Sequence, residues 1–154
     1  MWIFSIIINT TWKYTNENAC DVEGKGGDLM RGSMKDLPKT TDTSEMVLRE
    51  ADWGEMHVEL DTIHKKLDIT PLLKGLPDDR CQCPHWGYLL KGRMTVKYKD
   101  HEEIVNAGDA YYMAPGHKAM FDAGTEMVEF SPKDKQKKTM EAIMLNFEAM
   151  QKKK

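Results

Sequence analysis

Short stretches of alternating apolar and polar residues constrain this chain more than any other feature of it. In EMHVEL (residues 55–60), Met56, Val58 and Leu60 alternate with Glu55, His57 and Glu59, and RMTVKY repeats the pattern with Met94, Val96 and Tyr98. A side-chain period of two is that of a half-buried strand. HEEIV (101–105) follows Lys99-Asp100, a hairpin turn, and AYYMA (110–114) and EMVEFS (126–131) add two more strands, set off by turn signals at Pro115-Gly116 and Ala123-Gly124. Strands this short and this evenly spaced predict an all-β barrel or sandwich. At the end the period changes. Met140, Ile143, Met144 and Phe147 fall at helical spacing within 135–150, predicting an amphipathic α-helix whose stripe packs on the barrel or on a partner subunit.

The chain's 154 residues suffice for one core, and 40% hydrophobic with 31% charged residues is an ordinary globular composition. A net charge of -3, with no basic face ahead of the terminal lysines, argues against nucleic acid as a partner. The apolar run from Trp2 to Ile8 lacks a basic lead and a small-residue cleavage site, and is too short to span a bilayer, so no membrane role is expected. From Asn9 to Ser44 the chain is polar and aperiodic. RGSM (31–34) resembles a junction or alternative start, and residues 1–33 carry no functional expectation. The expected organisation is a flexible extension over 1–43, a β-barrel over 44–132 and a helix with a Lys-rich tail over 133–154. Three cysteines, Cys20, Cys81 and Cys83, are too few and too scattered for a disulfide framework, which points to a reducing, cytoplasmic setting.

Two of those cysteines stand in CQCPH (81–85). If 79–90 is extended, Asp79, Cys81, Cys83 and His85 share one face and present a carboxylate, two thiols and an imidazole, the usual ligands of zinc and divalent iron. His117, in the strand-like AYYMAPGHKAM, could meet them from across a small barrel. Pro84 is the weak point, because a proline within a strand sits at an edge or a bulge, and a bulge would break the alternation. Tyr111 shares the parity of His117 and is expected to enter the cavity. Tyr112 faces out. Trp86 and Tyr88 face away from His85, toward sheet packing or a subunit interface. Glu55 and Glu59 read as a solvated face, and His57, His64 and His101 as surface residues. No general base with a convincing partner stands out.

At these residues the sequence resembles the cupin superfamily. The second half of the first cupin motif, a metal-ligand position separated by six residues from a turn glycine, is matched by His85-Trp-Gly-Tyr-Leu-Leu-Lys-Gly92. The second motif is similar to Gly108-Asp-Ala-Tyr-Tyr-Met-Ala-Pro115-Gly116-His117. The resemblance spans about residues 44–131 and implies a jelly-roll β-barrel, commonly a homodimer, with an inward metal site. Aligned from Gly92, the family glutamate falls on His85 and its histidines on Cys81 and Asp79. Aligned from Gly75, the histidines fall on Cys81 and Cys83, and the usual histidine of the second motif falls near Ala119, two residues beyond His117. The ligands are rewritten, so no particular activity carries over.

Substituting Cys and His into such a site favours zinc first and iron(II) second. Ligation by Cys81, Cys83, His85 and His117 together gives a closed Cys2His2 site, structural or sensory. Ligation by three of them leaves a position open to a small molecule, as catalysis requires. A metalloenzyme acting on a small molecule and a non-enzymatic module with a structural or sensory metal therefore both stand. A redox dithiol ranks third, because Cys-x-Cys lacks the spacing of the thioredoxin-like pair.

Overall fold

The computed structural model describes residues 31–152, and the apolar run at 2–8, Cys20 and the expected flexibility of residues 1–30 lie outside the described residues. Ten strands run in order as β1 (Lys39–Asp42), β2 (Met46–Trp53), β3 (Met56–Ile63), β4 (Leu67–Asp68), β5 (His85–Lys91), β6 (Arg93–Lys97), β7 (Glu102–Asn106), β8 (Ala110–Met113), β9 (Lys118–Phe121) and β10 (Thr125–Pro132), followed by helix α1 (Lys133–Gln151). They form two antiparallel sheets, a six-stranded one in the order β1-β2-β3-β10-β5-β8 and a four-stranded one in the order β4-β9-β6-β7. Packed face to face, they make a jelly-roll-like double-sheet barrel. The strand pattern begins earlier than the sequence suggests. Residues 39–42, placed by sequence in the flexible extension, pair with β2.

The β5–β6 connection depends on Gly92. Its φ is +77°, and a Cβ there would stand 2.6 Å from Thr125 Oγ1 and 2.7 Å from Thr125 Cα. Only glycine serves where both the left-handed backbone and the close approach are required. The expected hairpin at Lys99-Asp100 joins β6 to β7 and is closed by Tyr98 N donating to His101 O at 2.9 Å.

Register decides what the barrel interior contains. Glu50 pairs with Glu59, Glu59 with Glu129, Glu129 with Gly87, and Gly87 with Tyr111, so one row crosses five strands of the larger sheet. Neighbours directly opposite one another share a face. On one side of that row lies Leu48-Asp61-Met127-Leu89, and on the other Asp52, His57 and Ser131. On the same face, Ile63, Met127, Leu89 and Met113 join Met94, Val96, Val105, Ala119 and Phe121 of the smaller sheet in the apolar core. The acidic row therefore faces inward as well. This reverses the expectation for Glu59, which is buried on the interior face with Val58 and Leu60 on the opposite one, whereas Glu55 is exposed as expected. Both faces of β3 are covered, and alternation gives the period of a strand but not which of two covered faces is the inner one.

Helix α1 begins after Pro132, whose ring suits a helix start, and covers one end of the barrel. Ile143 packs on the cluster of Leu73, Cys81 and Cys83. Asn146 Nδ2 donates to Leu72 O and Lys74 O at 2.9 and 2.7 Å, tying the helix to the 3-10 turn Thr70–Leu73. Among the described residues, no helix is long and apolar enough to cross a membrane.

Candidate metal centre and acidic chamber

Cys81 precedes β5 and makes an isolated bridge to His117 at the entry to β9. Cys81 N donates to His117 O at 2.9 Å, and Gly116 N donates to Cys81 O at 2.7 Å. Arg80 fastens the same segment by donating from Nη1 to Lys97 O at 2.9 Å. Two distant stretches of sequence are thereby locked side by side through their backbones. Four residues after Cys81, His85 opens β5 and turns inward, leaving Cys81 Sγ 3.5 Å from His85 Nε2. The His85 and His117 rings meet edge to face with centroids 5.1 Å apart.

Donor atoms of Cys81, His85 and His117 all lie within 4.8 Å of one another, and all three residues are buried. His117 Nδ1 donates to Ala114 O at 2.7 Å, which fixes the tautomer and leaves the Nε2 lone pair for a ligand. His85 Nδ1 is held by Ser131 Oγ at 2.7 Å, with Glu129 Oε2 at 3.6 Å, so its Nε2 is the atom facing Cys81. Burial holds both imidazoles neutral. It lowers the pKa of His85, and it depresses His117 to about 4 with help from the neighbouring His85 ring. Burial also raises the Cys81 thiol, which a bound cation would have to deprotonate.

The donor set fits a divalent metal ion. One thiolate at ~2.3 Å and one imidazole at ~2.0 Å from a tetrahedral ion stand about 3.5 Å apart, as Cys81 and His85 do. Cys83 is not brought into this group, although it is fully buried. Its Sγ instead donates to Pro84 O at 3.5 Å, and its thiol is pushed up to about 12, first by burial and then by Cys81. Asp79 does not share the face expected of it. It ends the 3-10 turn Pro77–Asp79 with φ +50°, is exposed, and accepts from Gly75 N at 2.7 Å. The assumed strand fails between 79 and 84 because Pro77 opens a 3-10 turn and Pro84 has no N–H for a ladder.

Beside these three residues lies a chamber of buried carboxyls that the sequence did not announce. Glu50, Glu59, Asp61 and Glu129 are all buried on the interior face. Tyr111 enters it, as its parity suggested, and donates from its hydroxyl to Glu129 Oε1 at 2.6 Å. Gly87 makes this reach possible, because a Cβ there would stand 2.4 Å from Tyr111 Cζ. Burial raises the Glu129 carboxyl to about 7, partly offset by the Tyr111 hydrogen bond. Burial and the nearby Glu59, Glu129 and Glu50 charges push Asp61 well above the usual carboxylate range.

His57, read from sequence as a surface residue, is half-buried among Asp52, Glu50 and Glu59 at 2.8, 3.3 and 3.6 Å. Burial alone would lower its pKa, but the hydrogen bonds of Glu50 and Glu59 outweigh that and raise it to about 11, so it is an imidazolium. His64 and His101 are exposed, as expected. Two further groups of convergent donors, Glu59-His85-Glu129 and Glu50-His57-Glu59, link the chamber to Cys81 and His117 through shared residues.

The helix contributes two polar residues that sequence reasoning passed over. Gln136 Nε2 donates to Glu59 Oε1 at 3.0 Å, and Thr139 Oγ1 lies 3.8 Å from Cys81 Sγ. Both fall on the stripe of Ile143, seven and four residues before it, and that spacing could have marked them as inward.

Neither protein-family models nor curated protein sequences match this chain. Solved structures do. A protein of unknown function from Rhizobium leguminosarum bv. viciae 3841 has 12% identity and a TM-score of 0.50, covering 68% of this chain and 97% of its own. An RmlC-like cupin from Shewanella frigidimarina NCIMB 400 has 12% identity and a TM-score of 0.49, covering 68% of this chain and 92% of its own. The fold of the described residues is a double-sheet β-barrel with one C-terminal helix. Identities this low speak to the fold alone.

Proposed function

We propose that the protein is a metal-dependent cupin acting on a small molecule, with zinc, or else iron(II), held by Cys81, His85 and His117. The observation that carries this reading is the convergence of one sulfur and two imidazoles within 4.8 Å, from two backbone-locked segments, with His117 Nε2 already oriented by Ala114. Three protein ligands leave a fourth position for a substrate atom. A metal ion there supplies Lewis acidity.

The chain's own residues supply the rest. Glu129 Oε2, on the far side of His85 from Cys81, belongs to a carboxyl that can hold or release a proton near neutrality, and Tyr111 fixes its other oxygen. Ile143 and Thr139 of α1 close the site against bulk water on the Cys81 side. The test is elemental analysis of protein purified without added metal. Near-stoichiometric zinc or iron is expected in the wild type, with at least ~tenfold less in Cys81→Ser and His117→Ala. Cys83→Ser should retain its metal. Equal loss in Cys83→Ser would instead support the closed structural or sensory site, and negligible metal in the wild type would sink both readings.

A second copy of the chain is the partner that the outer sheet face fits best. Trp86, Tyr88, Leu90, Tyr112 and Phe130 are exposed on β5, β8 and β10, and Trp86 stacks on Tyr112 at 5.1 Å. Contiguous apolar surface of this kind marks an interface rather than scattered exposure. Light scattering should give a dimer mass for the wild type and a monomer mass for the Trp86→Lys, Tyr88→Lys double variant. A monomeric wild type would refute the homodimer.

A further inference from the structure

The acidic row poses a question that the metal site does not answer. Asp61 Oδ1 and Gln136 Oε1 are buried without a hydrogen-bond partner, and their residues are only 5% and 6% exposed. Gln136 Oε1 can only accept, and Asp61 Oδ1 accepts whenever it does not itself carry the carboxyl proton. They come from different elements, β3 and α1, and Gln136 is turned into the chamber by the hydrogen bond of its Nε2 to Glu59. Leaving such an acceptor unmet costs roughly 1–3 kcal/mol. Asp61, two residues from Glu59 along β3, and Gln136, hydrogen-bonded to Glu59, thus hold two such acceptors that the donors of a ligand would meet.

The charge has the same sense. Around Asp61 stand the buried carboxyls of Glu50, Glu59 and Glu129, all of which raise its pKa through space. His57 already serves Asp52, Glu50 and Glu59, and Lys133 Nζ reaches Asp52 at 2.8 Å, but Asp61 Oδ1 has no hydrogen-bond donor. A metal ion held by Glu59, His85 and Glu129 would still leave Asp61 Oδ1 and Gln136 Oε1 unmet. Asp61 belongs to none of the three groups of convergent donors, and His57, protonated and hydrogen-bonded to Asp52 and Glu50, has no lone pair to offer. Separated acceptors in a negative, buried chamber fit an organic cation with several N–H bonds.

We infer that the chamber lined by Glu59, Asp61, Glu129 and Gln136 receives the N–H-bearing cationic end, a primary ammonium or a guanidinium, of the small molecule whose other end reaches Cys81, His85 and His117. Only the placement of the other end at Cys81, His85 and His117 rests on the metal-dependent reading. Glu59 and Glu129 each converge with His85, so a ligand of a few bonds' length spans both regions. Asp61 and Gln136 are positioning residues, selecting the substrate by charge and donor count.

Isothermal titration of the purified, metal-containing protein with 1,4-diaminobutane tests it, with tetramethylammonium as the cation that lacks N–H. Saturable binding of the diamine is expected. Tetramethylammonium should bind at least ~tenfold more weakly, and Asp61→Asn and Gln136→Met should each weaken the diamine at least ~tenfold, the range of a charge-assisted hydrogen bond. Asp61→Asn is isosteric and removes the acidic group without changing the packing, and should melt no lower than the wild type, so its loss of binding cannot be laid to unfolding. Should it nevertheless fail to fold, Gln136→Met decides. Cys81→Ser should lose metal yet keep its diamine affinity within ~threefold, since the chamber lies on other strands. Absence of saturable diamine binding, equal affinity for tetramethylammonium, or unchanged affinity in the chamber variants overturns the inference even if metal is present. Diamine binding by a wild type without metal would leave the chamber standing and remove only the metal-dependent reading.

Discussion

The same strands build two opposed halves of the barrel interior. Toward one half, β3, β5, β8 and β10 contribute Ile63, Leu89, Met113 and Met127, which close on Met94, Val96, Val105 and Phe121 of the smaller sheet. Two residues back along β3, β5 and β8, and two onward along β10, the same face carries Asp61, Gly87, Tyr111 and Glu129, with Glu59, His85 and Ser131 beyond. The first half stabilises the fold through buried apolar area. Much of that gain offsets the cost of the second half, where carboxyls are held together and an acceptor oxygen goes unmet. Strain and unmet polar groups concentrate where a ligand can relieve them, and a well-packed core is what permits it.

That contrast can be broken most sharply in the apolar half. Leu89 is fully buried, and Leu89→Ala should cost ~2–5 kcal/mol in urea unfolding while leaving metal content unchanged in the folded fraction. A cost below ~1 kcal/mol would show that this half is not the stabilising one.

Removing His57 comes next. His57→Gln leaves Glu50, Asp52 and Glu59 without their imidazolium and should cost roughly 3 kcal/mol near pH 7. Its pKa is raised from 6.5 to about 11 on folding, so the folded protein holds the proton where the unfolded chain releases it. The stabilisation is therefore complete below pH 6.5 and is lost as pH rises toward 11. Urea unfolding between pH 6 and 10 should show the wild-type and His57→Gln curves converging with increasing pH. Parallel curves would place His57 outside the charge balance of the chamber.

A smaller effect is expected from Tyr111→Phe, which strips the donor from Glu129 Oε1 and should cost ~2 kcal/mol with the fold intact by circular dichroism. The smallest, and opposite in sign, is Asp61→Asn. Replacing a buried carboxyl that has an unmet oxygen should stabilise the protein by ~1 kcal/mol, read as a higher melting temperature. A lower melting temperature would mean that Asp61 is satisfied in the fold and that the two halves differ less than the geometry indicates.

Much of the framework was legible in the chain. Met94, Val96 and the turn at Lys99-Asp100 mark a hairpin that forms where expected, and the 135–150 stripe lies within a helix spanning Lys133–Gln151. Of the residues singled out in CQCPH and at His117, Cys81, His85 and His117 lie together in the fold. The reason for their meeting was less legible. A strand row was expected to carry Asp79 and Cys83 along, whereas Pro77 and Pro84 break that strand, and the bridge between Cys81 and His117 brings two of the donors together instead. The acidic chamber escaped notice because a glutamate alternating with valine normally faces water.

Local sequence by itself determined the period of each strand, the turns, the amphipathic helix and the presence of scarce thiols beside an imidazole, because each of these depends on neighbours within a few residues. Only the tertiary structure decided which face of β3 is the inner one, since that depends on register with β2 and β10 and on what covers each side. It likewise decided that Glu50, Glu59 and Glu129 form one row, that Gly87 makes room for Tyr111, and that Gln136 turns inward from a helix 77 residues away along the chain from Glu59. Those choices are made by pairing and burial between distant segments, which no local pattern encodes.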